Sequence, residues 1–271
     1  MKTRIVWGLS LMPFLALLLW IGGPLLKIGN IGIGLIAMHE FYEAFTKERN
    51  GLHGIGYAFA LIYGIFIEKI TYGNQYFSVF VSLFMVVLLI YTVTNHKKAT
   101  ALDGMTTFFG FFYCFFLLNH IYLVREFAYG RELIWLAFIT AFGCDTGAYF
   151  VGVNFGKHKL IPELSPNKTI EGSIGGIVFA TLLSIIFGII LDHFIVFEGV
   201  NLLLLCGLVG LVGSLLAQIG DLSASAMKRL SGVKDFGKII PGHGGIIDRF
   251  DSVILTTPAL YYLMIWLIET H

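Results

Sequence analysis

Nine charged side chains, one histidine and five glycines are concentrated between Asp221 and Asp251, in a run that lies between two apolar stretches. These residue types suit two tasks. Carboxylates bind hard divalent cations such as Mg²⁺, and Lys and Arg side chains bind phosphate oxygens. A charge at mid-bilayer costs roughly 2.5–3.5 kcal/mol on the insertion scale, so nine would cost on the order of 25 kcal/mol. We therefore expect the run to lie in water or along a polar cavity, and to contain the functional site.

Three carboxylates of this run could hold a cation together. Asp221 ends an apolar segment, and Ser225 lies one turn further on the same face if the helix continues. Asp248 and Asp251 are three residues apart at the start of the last apolar segment. If the two helix ends are neighbours, their carboxylates could share one hard cation and leave positions open for water and phosphate. The alternative is helix capping, in which aspartate stabilises a helix N-terminus without any metal.

The basic residues and glycines of the same run predict phosphate binding. Lys228, Arg229, Lys234 and Lys238 surround a glycine-containing turn and could hold a polyphosphate from several sides. A contact with lipid headgroups is the alternative, but the interleaved aspartates favour a site. The segment 241–245, PGHGG, cannot form a regular helix, so its backbone N–H groups could contact phosphates around His243.

A second polar group lies in and after the sixth apolar segment. Asp145 falls well inside that segment, where an ionisable side chain is a functional candidate. The segment 165–172, SPNKTIEG, loosely resembles a phosphate-binding turn, although the Walker A pattern GxxxxGK[ST] is absent. No HExxH, CxxC or GxSxG motif occurs, so metalloprotease, redox and hydrolase chemistries have no support.

The composition predicts a polytopic membrane protein. The chain is 57% hydrophobic and 13% charged, against roughly 25% charged in an ordinary soluble domain. Its net charge of +1 argues against nucleic-acid binding. The cysteines Cys114, Cys144 and Cys206 all lie in apolar segments, which predicts packing residues rather than disulfides or a zinc site.

Nine apolar segments predict an all-α fold with about nine transmembrane helices in one integral membrane domain, 1–271. The segments are 5–26, 28–46, 54–67, 76–94, 105–124, 133–152, 172–191, 202–220 and 252–268. We expect residues 1–100 to form N-terminal helices, and residues 101–271 to form the helices of the functional site, with cytoplasmic loops 153–171 and 221–251. With nine spans, every Lys and Arg except Lys27, Lys69, Arg125 and Arg131 falls on one side, which predicts a cytoplasmic N-terminus.

Other polar and small residues of the apolar segments have structural interpretations. Gly172 and Gly176 form a small-xxx-small pair that predicts close helix packing. The glycine-lined helices also permit a homodimer. His39, Glu40 and Glu43 are most simply interpreted as interfacial pairs or solvated helix ends.

The C-terminal run resembles the signature of the phosphatidate cytidylyltransferases, also called CDP-diacylglycerol synthases. The resemblance rests on Ser225, Met227-Lys228-Arg229, Lys234-Asp235, Gly237, Pro241, His243-Gly244-Gly245, Asp248-Arg249 and Asp251. Asp145 and the segment 165–172 are also similar to upstream elements of this family, so the resemblance covers roughly residues 100–271. The first hundred residues match only as apolar helices.

The resemblance implies an enzyme that condenses CTP with phosphatidic acid and gives CDP-diacylglycerol and pyrophosphate with the help of Mg²⁺ or another divalent cation. Its active site would face the cytoplasm from a bacterial-type inner membrane. The implied catalytic residues are Asp221, Asp248, Lys168, Lys228, Arg229 and His243. The implied substrate-binding residues are Asp145, Ser165, Glu171, Ser223, Ser225, Lys234, Asp235, Gly244, Gly245 and Arg249, and the implied metal ligands are Asp221, Asp248 and Asp251. A CTP-dependent lipid kinase and an ion-coupled transporter are the alternative functions.

Overall fold

The structure is a computed structural model that describes residues 13, 15–46, 51–72, 74–197, 201–239 and 244–269. The described chain is mostly helical, and residues 15–21 form its first helical stretch. The helices that follow are α1 (Gly23–Phe45), α2 (Gly51–Ile65), α3 (Ile67–Tyr72), α4 (Asn74–Thr94), α5 (Ala101–Gly110), α6 (His120–Glu126), α7 (Gly130–Phe155), α8 (Ile170–Phe194), α9 (Leu202–Leu208), α10 (Ser214–Ser231), α11 (Ile247–Phe250) and α12 (Val253–Glu269). Two π-helical turns, Phe111–Phe116 and Val209–Gly213, follow α5 and α9.

Five helical segments of the described residues are long and apolar enough to cross a membrane: Gln75–Thr94, Ala101–Glu126, Gly130–Phe155, Ile170–Phe194 and Leu202–Ser231. Two shorter apolar helices, Leu52–Ile65 and Val253–Leu267, correspond to the third and ninth predicted segments. Helix α1 covers nearly all of the second, and residues 5–12 and 14 of the first lie outside the described residues. The prediction of a helical membrane protein is confirmed, with five candidate spans among the described residues. The number of nine spans stays a prediction.

The outer faces of α4 and α8 are covered by large apolar side chains. On α4, Val79 and Val93 are 63% and 71% exposed, and on α8, Ile174 and Ile189 are 59% and 56% exposed. Contiguous apolar surface of this kind is unfavourable in water, whereas a helix satisfies its own backbone groups and can face lipid. These faces fit the hydrocarbon interior of a bilayer.

The chain forms two compact units. The first contains the described residues up to Asn119 together with Ser231–Asp248, and the second contains His120–Leu230 together with the described residues from Arg249. The prediction of one integral membrane domain stays a prediction.

Aromatic packing forms the core of the first unit. Phe84 and Phe111 are fully buried and contact edge to face, with ring centroids 5.2 Å apart, and Tyr63 packs on Phe111 in the same way at 5.9 Å. Such offset and edge-to-face pairs stabilise a core beyond the burial of their area. Helix α5 begins with a reciprocal capping box between Thr100 and Asp103, which satisfies backbone N–H groups at the helix start.

Close contact between α7 and α8 organises the second unit. A Cβ atom at Gly172 would lie 2.7 Å from the carbonyl oxygen of Ala148, and one at Gly176 would lie 2.7 Å from that of Cys144. Only glycine permits these backbones to approach so closely. The predicted role of this glycine pair in helix packing is therefore confirmed. All three cysteines are buried free thiols, as the sequence also predicted.

A two-stranded antiparallel sheet connects α7 to α8, and the all-α prediction omitted it. Strand β1 (Lys159–Ile161) pairs with strand β2 (Ser165–Thr169), with Lys159 opposite Thr169 and Ile161 opposite Ser165. The strands are too short to show a periodic pattern, and Pro166 argues locally against a strand. A two-stranded sheet has only edges, however, where a missing N–H group is tolerated. The predicted loop 153–171 is thus partly ordered by backbone pairing.

The polar run after Asp221 also differs from its prediction as a loop that begins at that residue. Helix α10 continues to Ser231, so Asp221 lies inside a helix and Ser225 does follow one turn later. An amphipathic pattern of small and polar residues extends the helix beyond the apolar segment. Among the described residues, 232–239 and 244–246 are not helical, and Gly232 has a φ of +72°.

Candidate active site

An ion pair between strand β2 and helix α10 forms the centre of the second unit's polar cluster. The Lys168 ammonium contacts Oδ2 of Asp221, and each of the two side chains is 27% exposed. Lys168 lies one residue before Thr169, whose hydroxyl accepts the N–H of Gly172 and caps α8. Pairing with β1 on one side and the helix start on the other therefore fix the backbone that carries the lysine. A partly shielded pair of this kind is stronger than one in open water.

Two more carboxylates lie beside this pair. Asp145 comes from α7, and its Oδ2 accepts a hydrogen bond of 3.2 Å from the Ser252 hydroxyl. Asp251 precedes Ser252, and its Oδ1 accepts the Ser252 N–H at 2.8 Å. A Cβ atom at Gly220 would lie 2.2 Å from the carbonyl oxygen of Asp251, so glycine there permits the close approach of α10 to this segment.

The cluster carries an excess of negative charge. Burial, together with the neighbouring carboxylates of Asp221 and Asp145, raises the pKa of Asp251 to about 7, although the Ser252 N–H and Lys228 act in the opposite direction. Lys168 offsets part of the charge through its contact with Asp221. A group of carboxylates held together in this way attracts a further cation or another proton.

The donor set of the second unit fits a hard cation. Carboxylate oxygens are the ligands that Mg²⁺ prefers, and Mg²⁺ usually uses only one or two of them, together with water and substrate phosphates. In the described parts of the chain, no three His, Cys, Asp or Glu side chains approach closely enough to form a metal site by themselves. The predicted metal ligands Asp221 and Asp251 lie in the second unit, and Asp248 belongs to the first. A shared cation therefore stays a prediction.

A hydrogen-bond network centred on Gln218 joins α7, α8 and α10 in the second unit. The Gln218 amide donates to the carbonyl oxygen of Ser173 at 3.0 Å and to Sγ of Cys144 at 3.3 Å. The Ser173 hydroxyl donates to the Gln218 side-chain oxygen. Gln218 lies one turn before Asp221 on α10, so this network fixes the helix face that carries the aspartate.

A cavity of about 490 Å³ opens beside these groups in the second unit. Its polar wall contains Asp145, Lys168, Ser173, Gln218 and Asp221. Its other lining residues include the apolar side chains of Ala148, Tyr149, Val153 and Leu160 and the backbone of Gly152. A mainly apolar cavity with a few converging polar groups is typical of a small-molecule site.

Glu171 does not line this cavity, and its carboxylate instead binds the chain just before strand β1. Its Oε1 pairs with Nδ1 of His158 at 2.6 Å, and its Oε2 accepts the N–H groups of Lys157 and His158 at 3.1 and 3.2 Å. The carboxylate thus ties the start of α8 to the chain that enters β1. Ser165 lies at the other end of β2 and is also absent from the cavity wall.

In the first unit, the Asp248 side chain links two stretches of backbone that precede it, at Phe236 and at Gly245. Its side chain is 7% exposed, and its Oδ2 accepts the N–H groups of Phe236 and Gly245 at 2.9 and 3.0 Å. Gly244 has a φ of +83°, which favours glycine, and a Cβ atom there would lie 2.8 Å from the same oxygen. Asp248 therefore has a clear structural role besides the predicted metal binding.

The other predicted site residues lie along the same polar run. Lys228 is partly buried and influences Asp251, whereas Arg229, Lys234, Asp235 and Arg249 are exposed. Ser223 and Ser225 are partly buried on α10, and neither belongs to the residues that line the cavity. Gly245 is buried in the first unit. His243 lies outside the described residues.

Sequence reasoning missed four polar residues that the structure places at these clusters. Ser173, Gln218 and Ser252 contact the residues around Asp145 and Asp221. Glu40, predicted to be interfacial or solvated, is 3% exposed and accepts the N–H of Ile247, so that prediction was wrong. A signal existed for two of them, because Gln218 lies three residues before Asp221 and Glu40 lies inside an apolar segment.

Comparison with known proteins places the whole chain in one family. The family model described as the cytidylyltransferase family matches residues 2–267. A protein named phosphatidate cytidylyltransferase from Staphylococcus haemolyticus is 37% identical over 98% of this chain and 99% of its own length. Proteins of the same name from Bacillus subtilis and Staphylococcus aureus are 36% and 37% identical, over 97% and 98% of this chain and 97% and 99% of their own lengths. The match also includes the first hundred residues, where the sequence showed only apolar helices. The chain belongs to the cytidylyltransferase family.

Proposed function

We propose that this chain is a phosphatidate cytidylyltransferase, which condenses CTP with phosphatidic acid and yields CDP-diacylglycerol and pyrophosphate. One observation carries the proposal. The Lys168–Asp221 pair and Asp145 stand at a cavity of about 490 Å³, in a chain that shares 37% identity over nearly its whole length with a protein of this name.

The reaction requires that two polyanions meet. An oxygen of the phosphatidate phosphate forms a bond to the α-phosphorus of CTP, and the bond from that phosphorus to the bridging α–β oxygen breaks, which releases pyrophosphate. The lipid phosphate is already a competent nucleophile, so the protein needs to align the partners and offset their charge. Lys168 supplies a positive charge at the cavity, and Asp221 holds its ammonium in place.

The remaining basic and small residues of the polar run supply the other phosphate contacts in this proposal. Lys228, Arg229, Lys234 and Arg249 hold nucleotide and lipid phosphates, and Gly244 and Gly245 shape the backbone around them. A contact to substrate is also proposed for Asp145, which lines the cavity. Substrate contacts stay predictions for the residues that do not line it, Ser165, Glu171, Ser223, Ser225 and Asp235, and a catalytic role stays a prediction for His243.

A divalent cation, Mg²⁺ in the first instance, completes the proposed site. Asp221, Asp248 and Asp251 are the residues that would hold it. The support is their carboxylate chemistry and the excess negative charge around Asp251 in the second unit. A cation held there would supply polarisation of the α-phosphate and stabilisation of the negative charge on the leaving pyrophosphate.

The proposed membrane arrangement has nine spans, a cytoplasmic N-terminus and an active site that faces the cytoplasm from a bacterial inner membrane. Its support is the concentration of Lys and Arg on one side of the nine-span topology. The acyl chains of phosphatidate could then stay in the hydrocarbon while CTP arrives from the cytoplasm. Glycine-rich helix faces make a homodimer compatible with this arrangement.

An assay of the purified protein with phosphatidate and CTP labelled at either the α- or the γ-phosphate tests the proposal. We expect the α-label in the lipid product, release of one pyrophosphate per lipid, and loss of turnover on addition of a chelator. Transfer of the γ-label would instead establish a CTP-dependent lipid kinase. Ion flux in liposomes without any turnover of phosphatidate would favour the transporter alternative.

A further inference from the structure

We propose that Glu40 is a positioning residue that holds the segment bearing Asp248 in its active arrangement. The inference deepens the proposed function, because it assigns a role in the same reaction to a residue of α1. Glu40 lies on α1, more than two hundred positions before the segment it contacts, and its side chain is 3% exposed. A buried carboxylate in an apolar helix costs stability unless it is compensated, so its contacts indicate what it does.

The first contact joins Glu40 to the backbone next to Asp248. Oε2 of Glu40 accepts the N–H of Ile247 at 3.2 Å, and Ile247 immediately precedes Asp248 at the start of α11. Phe236 strengthens the attachment, because its ring stacks on Phe41 with centroids 6.4 Å apart. Two consecutive residues of α1 thus contact the two described stretches that Asp248 links, Phe41 through Phe236 and Glu40 through Ile247.

The second contact is with two glycines of that segment. A Cβ atom at Gly237 would lie 2.1 Å from Oε1 of Glu40, and one at Gly245 would lie 2.3 Å from Oε2. Oε1 is buried without a hydrogen-bond partner among the described residues. The carboxylate is therefore enclosed by backbone that only glycine can supply, which leaves it no freedom to point elsewhere.

Glu40 and Asp248 hold the same segment from two directions. Asp248 accepts the N–H groups of Phe236 and Gly245, and Glu40 accepts that of Ile247, so backbone donors on both sides of residues 240–243 end on two carboxylates. Without Glu40 the Ile247 N–H loses its acceptor, and Asp248 loses the constraint on its own backbone. A shift of about 1 Å in a group that aligns the substrates can slow the reaction about 100-fold.

Turnover and hydrogen exchange of the full-length protein in detergent, with CTP and phosphatidate as substrates, test the role. We expect Glu40→Ala to lower kcat about 10–100-fold while KM for CTP changes much less, as for a supporting residue. Amide exchange in the peptide that covers 244–250 should become faster. Glu40→Gln should keep kcat and the amide exchange of this peptide closer to their wild-type values, because its amide oxygen can still accept the Ile247 N–H.

Two controls separate positioning from a general loss of structure. Glu43→Ala, which removes an exposed carboxylate from the same helix, should leave kcat and exchange at wild-type values. Gly237→Ala should slow turnover in the wild-type background and add little in the Glu40→Ala background, since Glu40 supplies the nearest atoms that its methyl group would meet.

Wild-type kcat in Glu40→Ala would overturn the inference, and so would a loss that matches its unfolded fraction in a melting experiment. Unchanged exchange in the 244–250 peptide would overturn it as well. Absence of turnover in the wild-type protein would instead reject the proposed function, and in that case the exchange measurement alone decides whether Glu40 holds the segment.

Discussion

Lys168 and Asp221 form a direct ion pair although they lie on different elements, one in the strand before α8 and the other inside α10. The pair stands at the wall of the cavity in the second unit and next to the carboxylate of Asp145. Each partner is fixed by its own surroundings, the lysine by the hairpin and the aspartate by the Gln218–Ser173 network. The pair therefore brings one positive charge to the wall of this cavity.

Removal of the Lys168 charge should weaken transition-state binding. We expect Lys168→Ala to lower kcat/KM about 100-fold, as loss of one preorganised electrostatic group commonly does. Lys159→Ala is the matched control, because Lys159 is an exposed lysine of the neighbouring strand. Steady-state kinetics at equal folded protein measure the effect. An unchanged catalytic efficiency in Lys168→Ala would remove this residue from the site.

Asp248→Asn should abolish turnover and leave the fold intact. The side-chain oxygen of asparagine can still accept the N–H groups of Phe236 and Gly245, whereas the negative charge proposed for cation binding is lost. Activity and the melting temperature in detergent are the measurements, with Asp192→Asn, an exposed aspartate on α8, as the control. Normal activity in Asp248→Asn would refute its assignment as a metal ligand.

Asp251 should make stability depend on pH. Its pKa is about 7 in the folded chain and near 3.8 as a free side chain, so between these values the folded state binds more protons than the unfolded state. The stability that Asp251 contributes is complete below about pH 4 and is lost as the pH rises to about 7. In the absence of divalent cations, Asp251→Asn should therefore melt at a higher temperature than the wild type at pH 8, and the difference should shrink towards pH 4. A variant that is less stable than the wild type at pH 8 would contradict the burial of a charged Asp251.

Glycine at the α7–α8 contact should be required for stability. A methyl group at Gly176 would lie 2.7 Å from the Cys144 carbonyl oxygen, so Gly176→Ala should destabilise the protein by about 1–3 kcal/mol. Gly207 has no atom within 4 Å of such a methyl group, and Gly207→Ala should instead stabilise α9 by about 0.5–1 kcal/mol. Melting temperatures in detergent should shift in opposite directions. Equal shifts of the two variants would count against the tight backbone contact.

Local patterns in the sequence predicted much of what the structure contains. Hydrophobic segments located the helices because a membrane span must be continuously apolar. The Gly172–Gly176 spacing predicted a close helix contact, and the polar residues at 145, 168, 221 and 251 were recognised as a candidate site. The apolar segments and the glycine spacing are local patterns, so they can be recognised without knowledge of the fold.

Features that depend on contacts between distant segments were missed. The hairpin 159–169 lacks a strand pattern and forms because the chain reverses between α7 and α8. Glu40 resembled an ordinary interfacial residue, since its partner Ile247 is separated from it by most of the chain. Ser252 was absent from the predicted site because its hydroxyl reaches Asp145 only through packing of the last helix. No local periodicity encodes such pairs.

The most direct measurement compares transfer of the α-labelled phosphate from CTP to phosphatidate by the wild-type protein and by Asp221→Asn, at equal folded fractions. Asp221 holds Lys168 at the cavity and is a proposed metal ligand, so its charge should be indispensable. We expect labelled CDP-diacylglycerol from the wild type and a loss of at least about 100-fold in the variant. Transfer by Asp221→Asn at the wild-type rate, or no transfer of the α-label by the wild type, would contradict the proposed active site.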